Sequence, residues 1–208
     1  MNLINLKTVY NAISVPLLIN KYKYNYIADV PKLSKIAVNR GIGYAKDNAK
    51  DIEKNVKEFI LILGQKPIIK KATKSVSNFK IRTGMIVGLM STLRNNKMRA
   101  FLMKIIHVVL PRIPEFQGLG CSGFDRRGNF SFGIDDQLLF PEISFKNVTS
   151  QLGVDVTIVS SAKKNEELFF LLKTFGFPFS DLPSSVSKSD IINFFSFIKD
   201  NYIFFNKR

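Results

Sequence analysis

The chain has 208 residues and is 46% apolar, which suits one folded domain, alone or with an appendage, and excludes a disordered protein. Its one cysteine, Cys121, excludes a disulfide framework or cysteine-cluster zinc site, and its one histidine, His107, argues against histidine metal centres and Ser-His-Asp triads. No apolar run approaches the roughly 18 residues of a membrane span, so no membrane partner is expected. The net charge of +15 favours a polyanion instead.

The first predicted elements are two short helices, separated because Pro16 interrupts helix at mid-length. A strand over residues 35–39 follows, since apolar and polar residues alternate there with period two. Its inward residues are Ile36 and Val38. The opposite face carries three side chains: Lys35, Ala37 and Asn39.

A helix is predicted over residues 46–63, ended by Gly64. Its inward stripe consists of Ala49, Ile52, Val56, Phe59, Ile60 and Leu63. Gly41-Ile42-Gly43 lies between strand and helix and resembles part of a dinucleotide-binding turn. Lys46 occupies the third glycine position and no ribose-binding acid follows, so we interpret the segment as a plain glycine turn.

Residues 59–114 contain no Asp or Glu. Eleven basic residues lie there: Lys66, Lys70, Lys71, Lys74, Lys80, Arg82, Arg94, Lys97, Arg99, Lys104 and Arg112. Such a surface repels itself unless an anion neutralises it, and the apolar residues between the charges indicate a folded segment. This pattern favours nucleic acid as the partner over a merely solvated basic face.

Within that stretch the pattern predicts a strand from Pro67, an exposed loop or hairpin over residues 70–82, and a central strand over residues 85–93. A helix capped by Asn95 or Asn96 then runs to Leu110 and ends at Pro111. Its predicted inward residues are Met98, Phe101, Leu102, Ile105, Val108 and Val109.

The last predicted elements are a hairpin over residues 124–130, a strand over 154–159 and a helix that begins at Asn165 and ends at Gly176. Strands and helices mix without regular βαβ repetition. The fold class is therefore α+β, an antiparallel or mixed sheet with helices packed on one face and the other face free to bind RNA.

Short motifs in register along residues 22–179 resemble one family. They include Gly64-Gln65-Lys66-Pro67, Phe79-Lys80-Ile81-Arg82, Thr92-Leu93-Arg94, Leu110-Pro111-Arg112-Ile113, Arg127-Gly128-Asn129, Asp155-Val156-Thr157-Ile158 and Phe177-Pro178-Phe179. Together they are similar to the bacterial-type large-subunit ribosomal protein L-five, over roughly three quarters of the chain.

The resemblance implies a structural constituent of the large ribosomal subunit that binds 5S rRNA in the central protuberance through the sheet face without helices. By this resemblance the rRNA-binding residues are Lys35, Asn39, Gln65, Lys66, Thr92 and Arg94. The loop that would contact peptidyl-site tRNA carries Lys70, Lys71, Lys74, Lys80 and Arg82. The bridge to a small-subunit head protein would use Arg112, Arg126 and Arg127. Large-subunit rRNA and neighbouring large-subunit proteins are the other implied partners.

The domain boundaries expected are an N-terminal segment 1–21, a 5S rRNA-binding domain 22–179 and a helical C-terminal extension 180–208. The extension and the heavy use of Lys, Asn, Ile and Phe suggest a mitochondrial ribosome, with a plastid or bacterial cytoplasm as the alternative. The stretch that contains Glu115 and Gln117 is less basic than the family's pattern.

We predict neither an enzyme nor a cofactor or metal site. A free RNA-binding or RNA-chaperone protein outside the ribosome is the second hypothesis. A nucleotide-using enzyme built on Gly41–Gly43 is the third.

Overall fold

The computed structural model describes residues 6–43, 49–125, 127–143 and 151–181. The chain divides into two compact units. We call Met1–Ser34, Gln117–Phe130 and Val159–Arg208 the terminal unit, and Lys35–Phe116 and Ser131–Ile158 the sheet unit.

The central element is a five-stranded sheet in the order β2-β3-β1-β5-β4. The strands are β1 Leu33–Gly41, β2 Ile68–Lys71, β3 Ile86–Leu93, β4 Asn129–Ile134 and β5 Val154–Ser160. Strand β3 pairs antiparallel with both β1 and β2, so the predicted central strand and the α+β class are confirmed.

The helices of the sheet unit are α3 (Ala49–Leu63) and α4 (Asn95–Lys104), and they cover one face of the sheet. Ile36 and Val38 of β1 and Leu89 of β3 point to that face and are no more than 1% exposed. Phe59 of α3 and Leu102 of α4 are buried as well. The predicted inward positions of β1 are confirmed, and the open face is left with the alternate residues.

The buried side of α3 differs from the predicted stripe, because it includes two polar residues, Asn55 and Glu58. Glu58 faces Arg40, the third inward residue of β1, with Arg40 Nη1 and Glu58 Oε2 3.3 Å apart. The Arg40 guanidinium also lies over the Phe59 ring, 5.3 Å from its centroid. The buried side of α3 therefore includes Glu58, which pairs with the buried arginine of β1.

Helix α4 begins differently from the prediction, since neither asparagine caps it through its side chain. Arg94 is the extended N-cap residue, and Asn95 adopts a left-handed φ of +50°. A π-helical turn, Ile105–Val109, and a 3₁₀ turn, Leu110–Arg112, continue the helix. The wider turn buries Ile106 where the regular period predicted Val108.

The terminal unit begins with an unbroken helical run, so the predicted break at Pro16 is wrong. Helix α1 (Leu6–Val9) leads into a π-helical turn, Tyr10–Ser14, and then into α2 (Val15–Tyr22). Pro16 lies in the first turn of α2, directly after the π-helical turn, and the helical run continues through it.

The same unit contains α5 (Asn165–Thr174) and a cluster of phenylalanine rings. The cluster is formed by Phe124, Phe130, Phe169, Phe177 and Phe179, with centroids from 4.5 to 6.3 Å apart. Backbone hydrogen bonds join Leu119 to Pro178 at 3.0 Å and Ser180 to Leu119 at 3.1 Å. The Phe177-Pro178-Phe179 segment is therefore part of the core of this unit.

Candidate nucleic-acid interface

The open face of the sheet is built from rows of directly opposed residues. Ala37 of β1 lies opposite Thr92 of β3, and Asn39 lies opposite Met90. These four side chains are half-buried, as expected for a sheet face without helices. Asn39 and Thr92 therefore lie on one surface, as predicted, about 7 Å apart along the strand direction.

Gln65 joins this surface from outside the strands. Gly64 ends α3 with a left-handed φ of +64°, and the chain then turns back toward β3. Gln65 Nε2 donates a hydrogen bond to the Thr92 carbonyl at 3.2 Å. The side-chain oxygen of Gln65 can still accept a hydrogen bond. Gln65 therefore lies beside Thr92, and Asn39 lies about 7 Å further along the strand direction.

Three basic residues surround that end of the face. Extending the β1–β3 register by one residue places Lys35 opposite Arg94. Arg94 and Lys66 are exposed and Lys35 is half-buried. Strands β1, β2 and β3 contain no acidic residue. The surface combines an amide, a hydroxyl and uncompensated positive charge, the groups that bind structured RNA.

The predicted excursion over residues 70–82 is an exposed hairpin, which confirms its shape. Val76 and Ile81 exchange backbone hydrogen bonds of 2.9 and 3.1 Å near its tip. A 3₁₀ turn, Ser77–Phe79, forms the tip, and Phe79 is 70% exposed. Five basic residues of the hairpin are exposed: Lys70, Lys71, Lys74, Lys80 and Arg82.

Two lysines of the acid-free stretch have a structural role. Lys97 Nζ donates to the Gly64 carbonyl at 3.1 Å, and Lys104 Nζ donates to the Ile62 carbonyl at 2.9 Å. Both carbonyls lie at the C-terminal end of α3, where backbone acceptors lack helical partners. Part of the basic charge therefore caps a helix.

The residues predicted for the intersubunit bridge are placed only in part. Arg112 is exposed and donates through Nη1 to the Leu139 carbonyl at 3.4 Å. Arg127 is exposed, and its backbone N–H donates to Asp125 Oδ1 at 2.9 Å. Arg126 lies outside the described residues.

Asp125 holds the turn of the predicted hairpin over residues 124–130. Its carboxylate accepts from the backbone N–H and the side-chain amide of Asn129, each at 2.7 Å. Burial alone would raise the pKa of Asp125, but the hydrogen bonds from Asn129 and Arg127 lower it below the ordinary value. The carboxylate therefore stays ionised in this turn.

Two protein-family models match the chain, and together they span both units. The model described as "Ribosomal protein L5" matches residues 27–82, and the model of the C-terminus of the same ribosomal family matches residues 86–179. The chain belongs to the ribosomal L5 family. Ribosomal L5 proteins are structural and non-enzymatic, so the expectation that the chain is not an enzyme is confirmed.

Curated relatives match over most of their length. "Large ribosomal subunit protein uL5c" of Emiliania huxleyi is 48% identical over 83% of this chain and 94% of its own length. "Large ribosomal subunit protein uL5" of Synechococcus sp. is 48% identical over 84% of this chain and 97% of its own. The uL5c of Rhodomonas salina is 47% identical over 85% and 98%.

The C-terminal extension lies beyond the ribosomal L5 match, which ends at residue 179. The helix predicted in it lies outside the described residues. Among the described residues, no helix is long and apolar enough to cross a membrane. The same residues contain no cluster of three or more His, Cys, Asp or Glu side chains that could hold a metal ion.

Sequence reasoning missed several residues of the open face. Met90 is opposed by Ile68 of β2, which is 63% exposed and adds an apolar surface beside Asn39. On the other side of β1, Thr157 of β5 accepts a hydrogen bond from Ser131 of β4 at 3.0 Å. The period-two alternation of β5 could have indicated Thr157. Nothing local indicated its partner on β4.

Proposed function

We propose that this ribosomal L5 protein is a structural constituent of the large ribosomal subunit that binds 5S rRNA in the central protuberance. The open face of the sheet is the binding surface, with Asn39, Gln65 and Thr92 as hydrogen-bonding groups. Lys35, Lys66 and Arg94 would contact phosphates. Large-subunit rRNA and neighbouring large-subunit proteins are the further partners.

One observation carries this proposal: the convergence of Gln65, Thr92 and Asn39 on a face bordered by basic residues, in strands without any acid. A rigid sheet with this chemistry can distinguish an RNA helix by its shape and its 2′-hydroxyls. The three polar groups come from three different segments, so their convergence is a property of the fold.

The proposal is tested by changing Asn39, Gln65 and Thr92 together to Ala. If each side chain makes one RNA hydrogen bond worth about 1 kcal/mol, affinity for 5S rRNA should fall roughly a hundredfold. The salt dependence of binding should be unchanged, because no charge is removed. Filter binding across a salt series measures both quantities.

The matched control changes an exposed amide and an exposed hydroxyl outside the strands, Gln117→Ala and Ser122→Ala. This variant should bind 5S rRNA like the wild type. Urea unfolding should place the control within about 0.5 kcal/mol of the wild type per exposed substitution. The Asn39, Gln65 and Thr92 variant should lose about 1 kcal/mol more, because it removes the hydrogen bond from Gln65 to the Thr92 carbonyl, and should still unfold cooperatively. Undiminished affinity in the Asn39, Gln65 and Thr92 variant would overturn the assignment of this face.

The hairpin with Lys74, Lys80 and Arg82 is proposed to contact the elbow of the peptidyl-site tRNA. Its basic side chains are exposed and suit phosphate contacts, and the Phe79 ring, which is 70% exposed, offers a stacking surface. Arg112 of the sheet unit and, separately, Arg126 and Arg127 of the terminal unit are proposed to contact the small-subunit head.

The ribosome that contains this chain is proposed to be of the plastid or bacterial type. The similarity to plastid and cyanobacterial relatives supports this location, whereas the mitochondrial location suggested by composition has no support among them. Sedimentation tests the ribosomal assignment, since the protein should travel with large subunits through moderate salt. A protein that stays at the top of the gradient would instead be a free RNA-binding protein.

A further inference from the structure

The open face continues past β1 onto β5 and β4, where a second set of polar groups lies. Ser131 Oγ donates to Thr157 Oγ1 at 3.0 Å, and Asp155 Oδ1 lies 3.6 Å from the position that a Cβ at Gly133 would occupy. Both cross-strand contacts follow one antiparallel register of β4 on β5. Asp155, Thr157 and Ser131 therefore form a continuous strip, which we call the hydroxyl–carboxylate strip.

The strip lies on the face opposite the helices. Val154, Val156 and Ile158 alternate with it along β5 and are no more than 1% exposed. Asp155 and Ser131 are exposed and Thr157 is half-buried. Since β5 neighbours β1 in the sheet, the strip adjoins the surface that carries Asn39.

The chemistry of the strip differs from that of the β1–β3 surface. Lys35, Lys66 and Arg94 suit phosphates, whereas the Asp155 carboxylate repels them. A carboxylate on an RNA-facing surface accepts instead from the uncharged donors of RNA, which are ribose 2′-hydroxyls and base amino or imino groups. Because Ser131 donates to Thr157, the Thr157 hydroxyl keeps its own hydrogen, which it can donate to RNA.

We propose that the hydroxyl–carboxylate strip is a second part of the rRNA-binding surface, which contacts 2′-hydroxyls and base edges while phosphates stay on the β1–β3 side. This inference rests on the proposed binding of 5S rRNA to the open face. Asp155 would therefore fix the position of the RNA across the sheet, because an RNA helix shifted by one strand would bring phosphates onto its carboxylate.

The test uses the full-length protein and 5S rRNA with three variants: Thr157→Val, Thr157→Ser and Asp155→Ala. Thr157→Val removes the hydroxyl at constant shape and should weaken binding about fivefold, and Thr157→Ser should restore wild-type affinity. Asp155→Ala should also weaken binding, since it removes an acceptor for RNA donors. The urea midpoints of the variants show that the fold is kept.

Two results would overturn the inference. If all three variants bind like the wild type, the strip lies outside the RNA footprint. If Asp155→Ala binds more tightly than the wild type, the carboxylate faces phosphates and the strip does not contact uncharged groups. Failure of the wild type itself to bind 5S rRNA would contradict the proposed function, so the two failures are distinguishable.

Discussion

Arg40 and Glu58 form a buried ion pair directly beneath the open face. Arg40 is 1% exposed and follows Asn39 in β1, and it touches both Glu58 and Phe59 of α3. Burial raises the pKa of Glu58, while the charge and hydrogen bond of Arg40 act in the opposite direction. The pair stabilises both charges, because the Arg40 side chain is fully buried and the Glu58 side chain is only 10% exposed.

We expect Glu58→Ala to destabilise the protein by about 3–5 kcal/mol, since it removes a carboxylate that is paired with the buried guanidinium of Arg40. The double variant Arg40→Met with Glu58→Leu should recover most of that loss, because apolar side chains of similar volume fill the site. Urea unfolding measures both. A double variant as unstable as Glu58→Ala would show that packing, and not the loss of the carboxylate, controls this site.

At the scale of elements, the C-terminal end of α3 explains why neighbouring lysines have different roles. Lys97 and Lys104 donate to carbonyls of this end, whereas Lys66 follows it and is exposed beside Gln65. A count of positive charge along the sequence treats the three lysines alike. The hydrogen bonds of Lys97 and Lys104 show that these two stabilise the end of α3.

Lys97→Ala should lower the free energy of unfolding by about 1 kcal/mol and leave the salt dependence of 5S rRNA binding unchanged, because it removes a helix-end hydrogen bond. Lys66→Ala is the matched variant and should change binding but not stability. Its free energy of unfolding should stay within about 0.5 kcal/mol of the wild type. The slope of log affinity for 5S rRNA against log salt concentration should fall in magnitude by about one. Equal effects of the two variants on the slope would place Lys97 on RNA as well.

The hairpin is a separate element with a separate proposed partner. Changing Lys80 and Arg82 to Gln should leave 5S rRNA affinity within about twofold of the wild type and loosen peptidyl-site tRNA, because phosphate contacts are lost. Toeprinting or tRNA filter binding on reconstituted ribosomes measures the effect. Ser77→Ala, at the same tip, is the uncharged control. A collapse of 5S rRNA binding with a reduced salt slope would move the hairpin to the rRNA interface.

Sequence patterns predicted most of the elements, because period two and boundary glycines are local signals. The inward positions of β1, the stop at Gly64 and the exposed hairpin followed from them. What they missed depends on contacts between distant segments. Glu58 turns inward because Arg40 of another element faces it, and Gln65 reaches the open face through the Thr92 carbonyl.

The helix details were missed for a related reason. A π-helical turn shifts the buried stripe of the segment after α4, so that Ile106 replaces Val108. Asn95 or Asn96 was predicted to cap α4 through its side chain. Arg94 is the N-cap residue instead, and Asn95 adopts a left-handed backbone conformation, which asparagine tolerates. The spacing of apolar residues along the sequence does not distinguish an α-helical from a π-helical turn, nor a side-chain cap from a left-handed backbone.

At the scale of the whole molecule, the net charge of +15 is divided among different tasks. Part of it caps α3, part lies on the exposed hairpin, and part surrounds the Thr92 end of the open face. We propose that this open face, and not the outer surface of the helices, contacts 5S rRNA. Met90 lies on the open face, and Leu61 of α3 is 57% exposed.

Site-directed photocross-linking tests that claim most directly. A benzophenone amino acid is placed at Met90 in one variant and at Leu61 in another, and each is irradiated with 5S rRNA at moderate salt. We expect a 5S rRNA adduct from position 90 that unlabelled 5S rRNA competes away, and none from position 61. An adduct from position 61 with none from position 90 would contradict the claim.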